Sequence, residues 1–497
     1  MRHRPPPERG RHPSPTVGSG AVLPVVCAAS FLTFLDVSVV NIAFPSIAGS
    51  FAGTRESVLT WVVSGYGVTF AACLAPAGRL ADVIGRGRLF LVGLGAFVLT
   101  SLACAAAPTA ALLIAARLLQ GVSAAVVVPA SIGLLLGAVE PDKRAGAIGT
   151  WTATNGLGAV LGPVLGGLLV DQFGWRAIFA INIPIGLILL AAVVRLIPMD
   201  RPETRAPLPD VLGTIVFATA IGSLVAAITR GQDWGWTSPL TLALLIGGAV
   251  LLGLGMVRAR EHRSPAVDLG LWRVGLFART SAASAVIGLA LFAHMLMGPI
   301  FLSTVWHYSV IKASLVLTIA AVAAMVSSVL VGKVGTVENA GRLSALGATL
   351  FGAGAAVLGT NALTATDRLW TVWAPAAAVI GLGIGFAFAA LGIAASAAIP
   401  EDRYAAGLGM NFTVRQLGGA LGIAILAAVV SAHGRHLLDA VHVLYRIEAI
   451  VLVAAIPLCL TLRPVTKILT DDVRPGEESD HRPERLGPGV VKGGGGQ

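Results

Sequence analysis

The feature that most constrains this chain is a series of long apolar runs, which recur along nearly all of its 497 residues. A helix of about 20 residues crosses the roughly 30 Å hydrocarbon core of a bilayer, and many of the runs reach that length. Backbone groups in lipid must be hydrogen-bonded within the structure, and these runs are too long and continuous for the strands of a barrel. The sequence therefore predicts an all-α integral membrane protein.

Composition supports this prediction, because 56% of the residues are hydrophobic and 12% are charged, against about 25% charged in soluble domains. The net charge of +10 is carried by short clusters between the apolar runs. Nucleic-acid binding is therefore not expected, since it needs a basic face on a domain. No metal site and no cofactor are expected either. The cysteines all lie inside apolar segments, at spacings that do not suit a metal: Cys27, Cys73, Cys104 and Cys459.

Fourteen membrane spans are predicted, and the distribution of basic residues tests that number. With the N-terminus in the cytoplasm, the cytoplasmic side holds 26 Lys and Arg residues and the outer loops hold 7, as the positive-inside rule requires. Both termini are therefore expected in the cytoplasm of a multi-pass cell-membrane protein. The predicted spans are 21–47, 57–77, 89–107, 110–138, 145–170, 177–197, 210–229, 239–257, 276–302, 313–332, 343–362, 371–398, 405–431 and 446–462.

Polar linkers divide the spans into groups of six, two and six. Residues 21–197 form a six-helix N-terminal half, residues 198–275 a linker with two extra helices, and residues 276–462 a six-helix C-terminal half. The charged and proline-rich ends, residues 1–20 and 463–497, are expected to be disordered in the cytoplasm.

The clearest local motif lies in the predicted loop between spans 2 and 3. Glycines there can supply tight turns, and the aspartate can pair with a following arginine or accept hydrogen bonds at a helix N-terminus. A plain basic loop that anchors the topology is the alternative. The motif residues are Gly78, Asp82, Gly85, Arg86 and Arg88.

The spacing in this loop resembles the loop motif of the major facilitator superfamily. Further segments, at 34–45, 116–121, 158–167 and 174–184, resemble successive signatures of its fourteen-helix drug:proton antiporters. The resemblance implies two six-helix halves with two inserted helices. It also implies that Asp82 bridges to the other half and latches one conformation.

Small residues at helical spacing mark the fifth span. They allow close helix packing, and the proline kinks the span. The resemblance implies instead an antiporter motif that limits leak. These residues are Gly158, Gly162, Pro163, Gly166 and Gly167.

Two ionisable residues near mid-membrane are the predicted proton-coupling groups. Asp36 lies about 16 Å from the outer end of span 1, and Arg117 about 11 Å from the outer end of span 4. Such residues cost about 2.5–3.5 kcal/mol to insert and are functional candidates. Permanent pairing of Asp36 with Ser38 or Asn41, and a purely structural role for Arg117, are the alternatives.

The second half is predicted to lack a central acidic residue. Arg415 in span 13 is its candidate residue, with a structural role favoured. His294 is expected to be a satisfied interfacial histidine near the outer end of span 9. Glu448 and Arg446 are expected at the outer start of span 14, where they can pair or reach the interface.

The predicted function is proton-coupled export of amphipathic, possibly cationic, drugs or antibiotics by alternating access. The partners are then a small-molecule substrate, protons and the bilayer, and the protein is expected to act as a monomer. A major facilitator symporter that takes up a small solute is the alternative. A channel or a membrane enzyme lacks support, because no repeated filter and no HExxH, GxSxG or P-loop motif is present.

Overall fold

The structure, a computed structural model, describes residues 19–197, 199, 209–434 and 436–462. Fourteen helices in these ranges are long and apolar enough to cross a bilayer. The predicted all-α fold is therefore confirmed. The predicted disorder of the two termini falls on residues outside the described ranges, except that Ser19 and Gly20 already belong to the first helix.

The membrane helices are numbered α1 to α14 here, and two of them follow a short helix, at Glu56–Leu59 and Ala177–Ala180. Their bounds are α1 Ser19–Ser50, α2 Trp61–Ile84, α3 Arg86–Ala105, α4 Ala110–Ala138, α5 Arg144–Phe173, α6 Asn182–Leu196, α7 Val211–Trp234, α8 Pro239–Glu261, α9 Gly275–Thr304, α10 Val310–Val334, α11 Ala340–Leu358, α12 Ala374–Ala397, α13 Tyr404–His433 and α14 Leu437–Leu460.

Local chemistry explains where several helices begin and end. The backbone of Gly85 has φ 114°, a conformation that side chains with a Cβ rarely adopt, so α2 and α3 are separated by this one residue. The α4 helix begins where the Thr109 hydroxyl accepts a hydrogen bond from the backbone N–H of Leu112 at 3.3 Å. Such a cap satisfies one of the free N–H groups at a helix start.

The predicted loop over Gly78–Arg88 is wrong in one respect. The α2 helix continues to Ile84, so Gly78 and Asp82 lie in its last turns rather than in a loop. The helix can continue because the carboxylate of Asp82 has hydrogen-bond partners in the protein, which remove the need for exposure to water.

The two halves have equivalent packing. In the N-terminal half, α1 packs on α5, α2 on α4, and α6 on both α1 and α3. In the C-terminal half, α9 packs on α13, α10 on α12, and α14 on both α9 and α11. These helix pairs of the second half therefore correspond to those of the first, as expected for two repeats related by an axis along the membrane normal.

The halves meet where α2 packs on α13 and α5 packs on α10. The inserted helix α7 lies against α2 and α13, and α8 packs on α7. The predicted arrangement of six, two and six helices is confirmed.

Candidate functional site

Five polar side chains form one buried cluster inside the N-terminal half, which we call the Asp36 network. They come from four helices: Asp36 from α1, Ser101 from α3, Arg117 and Gln120 from α4, and Asn182 from the first residue of α6. Each is at most 1% exposed. The fold therefore gathers polar groups from distant parts of the chain into an apolar bundle.

Three donors hold the carboxylate of Asp36. Arg117 donates from Nη1 to Oδ2 at 2.6 Å, Gln120 donates from Nε2 to Oδ1 at 3.0 Å, and Asn182 donates from Nδ2 to Oδ1 at 2.8 Å. Ser101 accepts a second bond from Gln120 at 2.8 Å. A buried charge is tolerated only when it is paired and hydrogen-bonded, and this carboxylate meets both conditions.

The guanidinium of Arg117 makes further contacts. Besides Asp36, it donates to the side-chain oxygen of Gln120 at 2.8 Å and to the carbonyl oxygen of Val62 at 2.9 Å. Its central carbon lies 4.4 Å from the centre of the Tyr66 ring, a favourable cation–π distance. The guanidinium therefore connects α1, α2 and α4.

The sequence placed Asp36 and Arg117 at similar depth, and the structure brings them into contact. It does not bring Asn41 to Asp36, because the Asn41 amide donates to the carbonyl oxygen of Val37 instead, at 3.2 Å. Gln120 and Asn182 were not predicted to be members of the network. Both lie inside the motifs at 116–121 and 174–184, so the signal was uncharged polar residues within apolar segments.

A second group of contacts ties the two halves together at one end of the bundle, around Asp82. Asp82 accepts hydrogen bonds from Arg86 at 2.7 Å and from the backbone N–H of Ala406 at 2.7 Å. The N–H of Ala405 also donates to it, at 3.3 Å. These two N–H groups belong to the first turn of α13, where the free N–H groups of a helix favour a negative charge. We call this end of the bundle the latch end.

Arg86 and Arg144 extend the contacts at the latch end. Arg86 donates to the carbonyl oxygen of Gly133 at 3.1 Å within its own half, and to that of Glu401 at 2.6 Å across the interface. Arg144 pairs with the Glu401 carboxylate at 2.5 Å. The structure gives Arg88 no hydrogen bond or ion pair with a described residue. Of the five predicted motif residues, Asp82 and Arg86 therefore make these polar contacts, and Arg88 does not.

Gly78 contributes by its lack of a side chain. A Cβ at this position would lie 2.2 Å from the carbonyl oxygen of Ala405, so α2 and α13 approach closely only because Gly78 is glycine.

The glycines of the fifth span line its contact with α1. A Cβ on Gly158 would lie 2.7 Å from the carbonyl oxygen of Phe31, and one on Gly162 would lie 2.4 Å from the Cβ of Ser38. On Gly166 it would be 3.2 Å from Val39. Close packing of α5 on α1 follows directly. Pro163 and Gly167 lie in the same helix, α5.

Arg415 lies in α13, away from any described carboxylate. Its guanidinium carbon lies 4.6 Å from the ring centre of Phe412 and 5.3 Å from that of Phe388. The described residues include no ion-pair partner for it, and its Nε atom is buried without a hydrogen bond. Aromatic faces therefore take the place of an acidic partner.

The predicted absence of a central acidic residue from the second half is wrong. The α14 helix begins at Leu437 rather than near residue 446, so Glu448 lies near its middle and is 1% exposed. Arg446 does not pair with it but donates to the carbonyl oxygen of Gly359 at 2.7 Å. His294 is not interfacial and satisfied either, because its Nδ1 atom is buried without a hydrogen bond.

Comparison with known proteins identifies the family. The family model described as Major Facilitator Superfamily matches residues 26–423 and, in a second match, residues 280–485. The human organic anion transporter MFSD10 (TETRAN) has a similar structure, with a TM-score of 0.65 over 89% of this chain and 99% of that chain. At 14% identity, that likeness concerns the fold alone.

Sequence relatives are found among bacterial resistance proteins. Multidrug resistance protein Stp of Mycobacterium tuberculosis is 34% identical over 81% of this chain and 74% of its own length. Methylenomycin A resistance protein of Streptomyces coelicolor is 35% identical over 85% of this chain and 87% of its own. The probable actinorhodin transporter of the same organism is 31% identical over 84% of this chain and 73% of its own length. With fourteen membrane helices among its described residues and these matches along most of its length, the chain belongs to the major facilitator superfamily.

Proposed function

We propose that this protein exports amphipathic small molecules, drugs or antibiotics, across the cell membrane in exchange for protons. The relatives named for resistance cover more than four fifths of the chain, which supports drug export. The observation that carries proton exchange is the Asp36–Arg117 ion pair, buried within membrane helices. A buried acidic group in a membrane helix is a functional candidate by default.

Separation of α1 from α4 would change the proton affinity of the network. With Arg117 at 2.6 Å, the Asp36 carboxylate is compensated by a cation. If the guanidinium moves towards its other acceptors, the carbonyl oxygen of Val62 and the side chain of Gln120, the carboxylate loses its cation. An uncompensated carboxylate in an apolar setting is costly, and binding a proton removes that cost. The network can therefore exchange a proton when the helices move.

The contacts at the latch end fit one state of an alternating-access cycle. We assign this end and both termini to the cytoplasm, because the distribution of Lys and Arg favours that side. The bonds from α13 and Arg86 to Asp82 then hold the cytoplasmic side closed. Release of these bonds would let the halves rock about a central substrate site, within a single chain acting as a monomer.

Accumulation of a probe in cells tests this function. Ethidium, an amphipathic cation, and methylenomycin A should reach lower levels in cells that contain the protein, and a protonophore should abolish the difference. A protein-dependent rise in accumulation would indicate uptake instead and would overturn export.

The variant Asp36→Asn tests the proton step. It should reach the membrane and lose the protonophore-sensitive difference, whereas the control Asp171→Asn, an exposed carboxylate of the same half, should keep it. Unchanged export by Asp36→Asn would remove Asp36 from the coupling mechanism.

A further inference from the structure

The C-terminal half contains a second buried polar cluster, centred on Glu448. This residue lies about 16 Å from the start of α14 at 1.5 Å per residue, near the middle of the helix. Neither oxygen of its carboxyl group has a hydrogen-bond partner among the described residues. A buried carboxyl group without partners is rare in proteins and calls for a physical explanation.

Two other polar side chains face this carboxyl group. His294 on α9 places its Nδ1 atom 3.7 Å from Oε2 of Glu448, which is longer than a hydrogen bond. Tyr445 lies one turn before Glu448 on α14, and its hydroxyl is also buried without a partner. The rings of His294 and Tyr445 lie 5.8 Å apart.

No fixed cation compensates this cluster within the described residues. The helix α11 contributes the ring of Phe351, 5.5 Å from that of His294, and its one ionisable residue, Arg342, lies near the start of that helix. On α13, the guanidinium of Arg415 is turned onto two phenylalanine rings, while Tyr404 and His433 lie at the two ends of the helix.

The neighbours of Glu448 on its own helix are satisfied elsewhere. His442 bonds through Nε2 to the carbonyl oxygen of Leu363 at 2.9 Å, and Arg446 bonds to that of Gly359. The charge state of Glu448 therefore depends on His294 and on bound protons.

The cluster lies on helices equivalent to two of those that carry the Asp36 network. His294 lies on α9, the repeat partner of α1, which carries Asp36. Glu448 lies on α14, the repeat partner of α6, which carries Asn182. The two clusters differ in one respect: α12, the repeat partner of α4, has no charged residue along its length and so no counterpart of Arg117.

This difference determines what each site can do. The Asp36 carboxylate is paired with Arg117, a guanidinium that does not itself lose its proton. The Glu448 carboxyl group and the His294 imidazole are electrically neutral together when they share one proton. Removing that proton leaves a buried negative charge, and adding another leaves a buried positive charge, and both are costly away from water.

We propose that Glu448 and His294 form a proton-binding site in the C-terminal half, separate from Asp36. The pair holds one proton while it is buried and exchanges it when the helix movements of transport admit water. Its use in coupling rests on the proposed function, whereas proton binding itself does not.

Labelling with dicyclohexylcarbodiimide tests proton binding without transport. This apolar reagent adds to a protonated carboxyl group and leaves a mass tag. In the purified protein, Glu448 should be labelled several-fold more than Asp36, and labelling of Glu448 should fall as the pH is raised. Labelling of Glu448 no greater than that of Asp36 would overturn the proposal.

Variants at the two histidines separate a shared proton from a structural effect. His294→Gln should shift the pH at which Glu448 labelling is half-maximal. His442→Gln, a change to another buried histidine of the same half, should leave it in place. An unchanged midpoint in His294→Gln would show that the pair does not share a proton.

Transport by reconstituted protein then tests coupling. With an imposed proton gradient, Glu448→Gln should accumulate about ten-fold less ethidium than the wild-type protein, or less still. It should retain ethidium exchange without a gradient. Glu448→Asp, which keeps a carboxyl group, should retain part of the driven accumulation. Driven accumulation by Glu448→Gln at the wild-type level would exclude this site from coupling. If the wild-type protein shows none, export of ethidium fails and the labelling result still decides proton binding.

Discussion

At the scale of single residues, the chemistry of this protein depends on how buried charges are compensated. Asp36 has a guanidinium and two amide donors. Arg415 has two aromatic rings. Glu448 has an imidazole beyond hydrogen-bond distance. These three residues therefore differ in what a substitution should do, although all lie within membrane helices.

Substitution of Arg117 should destabilise the protein to a degree that depends on which bonds the new side chain can still make. Arg117→Gln leaves the Asp36 charge without its cation, and breaking a buried ion pair in this way costs about 3–5 kcal/mol. Arg117→Lys keeps the charge but cannot reach three acceptors in a fixed planar arrangement, so a smaller loss of stability is expected. Thermal unfolding of the purified variants in detergent measures both. A melting temperature of Arg117→Gln equal to that of Arg117→Lys would contradict this ranking.

The charged members of the Asp36 network could be predicted from the sequence and the uncharged ones could not, for a physical reason. A charged residue in an apolar run is easily recognised because inserting it into the membrane is costly. The uncharged side chains of Gln120 and Asn182 cost less to insert and do not interrupt the apolar runs that contain them. Glu448 was predicted at the start of its span rather than near the middle, because polar residues in the first turns of α14, among them Asp439 and His442, interrupt the apolar pattern. Their polarity is tolerated because Asp439 is exposed and His442 is hydrogen-bonded to the carbonyl oxygen of Leu363.

At the scale of helices, glycine determines which pairs can approach. The contacts of α5 with α1 and of α2 with α13 each depend on positions where a Cβ would meet backbone atoms. The helix bounds of α4 matched the predicted span from residue 110 to residue 138, because Pro108 and Thr109 mark its start. The α2 end was not predictable from apolar content alone, since the partners of Asp82 are supplied by α13.

Gly78→Ala should prevent close approach at the latch end. The added methyl group would lie 2.2 Å from the carbonyl oxygen of Ala405, so α2 and α13 must separate. A single cysteine introduced at Ala406 in a cysteine-free background should then react several-fold faster with a maleimide. Gly156→Ala is the matched control, because nothing lies within 4 Å of its added Cβ. Equal labelling rates in the two variants would show that the contact does not limit closure.

Asp210 should stabilise the inserted helix pair at all physiological pH values. It lies just before α7 and pairs with Arg258 near the end of α8, with Nη2 donating to Oδ1 at 2.8 Å. The hydrogen bonds from Arg258 lower the pKa of this carboxyl group from 3.8 to about 2. A carboxyl group with a lowered pKa stabilises the folded protein at pH values above its pKa in the unfolded chain. That stabilisation is lost as the pH falls through its pKa in the folded protein.

Asp210→Asn should therefore lower the melting temperature by a similar amount at mildly acidic and at neutral pH. Asp233→Asn provides the comparison, because Asp233 is half exposed and its pair with Arg230 is of the kind that adds little stability. A destabilisation that appears only above neutral pH would contradict the assignment.

At the scale of the whole molecule, the described polar contacts that join the halves lie at the latch end. Each half has its own buried polar cluster on equivalent helices, so the molecule is a repeat whose two copies have diverged in charge. The repeat and its inserted pair could be predicted from linkers and spacing, since both leave traces in hydropathy. The sequence could not show which half supplies an acidic residue without a partner, because that depends on where α14 begins.

The latch predicts that two acidic residues at the same end should differ in importance. Asp82→Asn removes a buried charge that accepts from two backbone N–H groups of α13 and from Arg86. Glu401→Gln removes one ion pair of a carboxylate that is 71% exposed and leaves its backbone carbonyl in place. Exposed pairs contribute about 0–1 kcal/mol, whereas hydrogen bonds to a buried charge contribute about 1.5–3 kcal/mol each.

Asp82→Asn should therefore raise maleimide labelling at position 406 and reduce ethidium export by about ten-fold. Glu401→Gln should change either quantity by less than about two-fold. Equal effects of the two variants would mean that closure depends on charge at this end in general rather than on the bonds between Asp82 and α13.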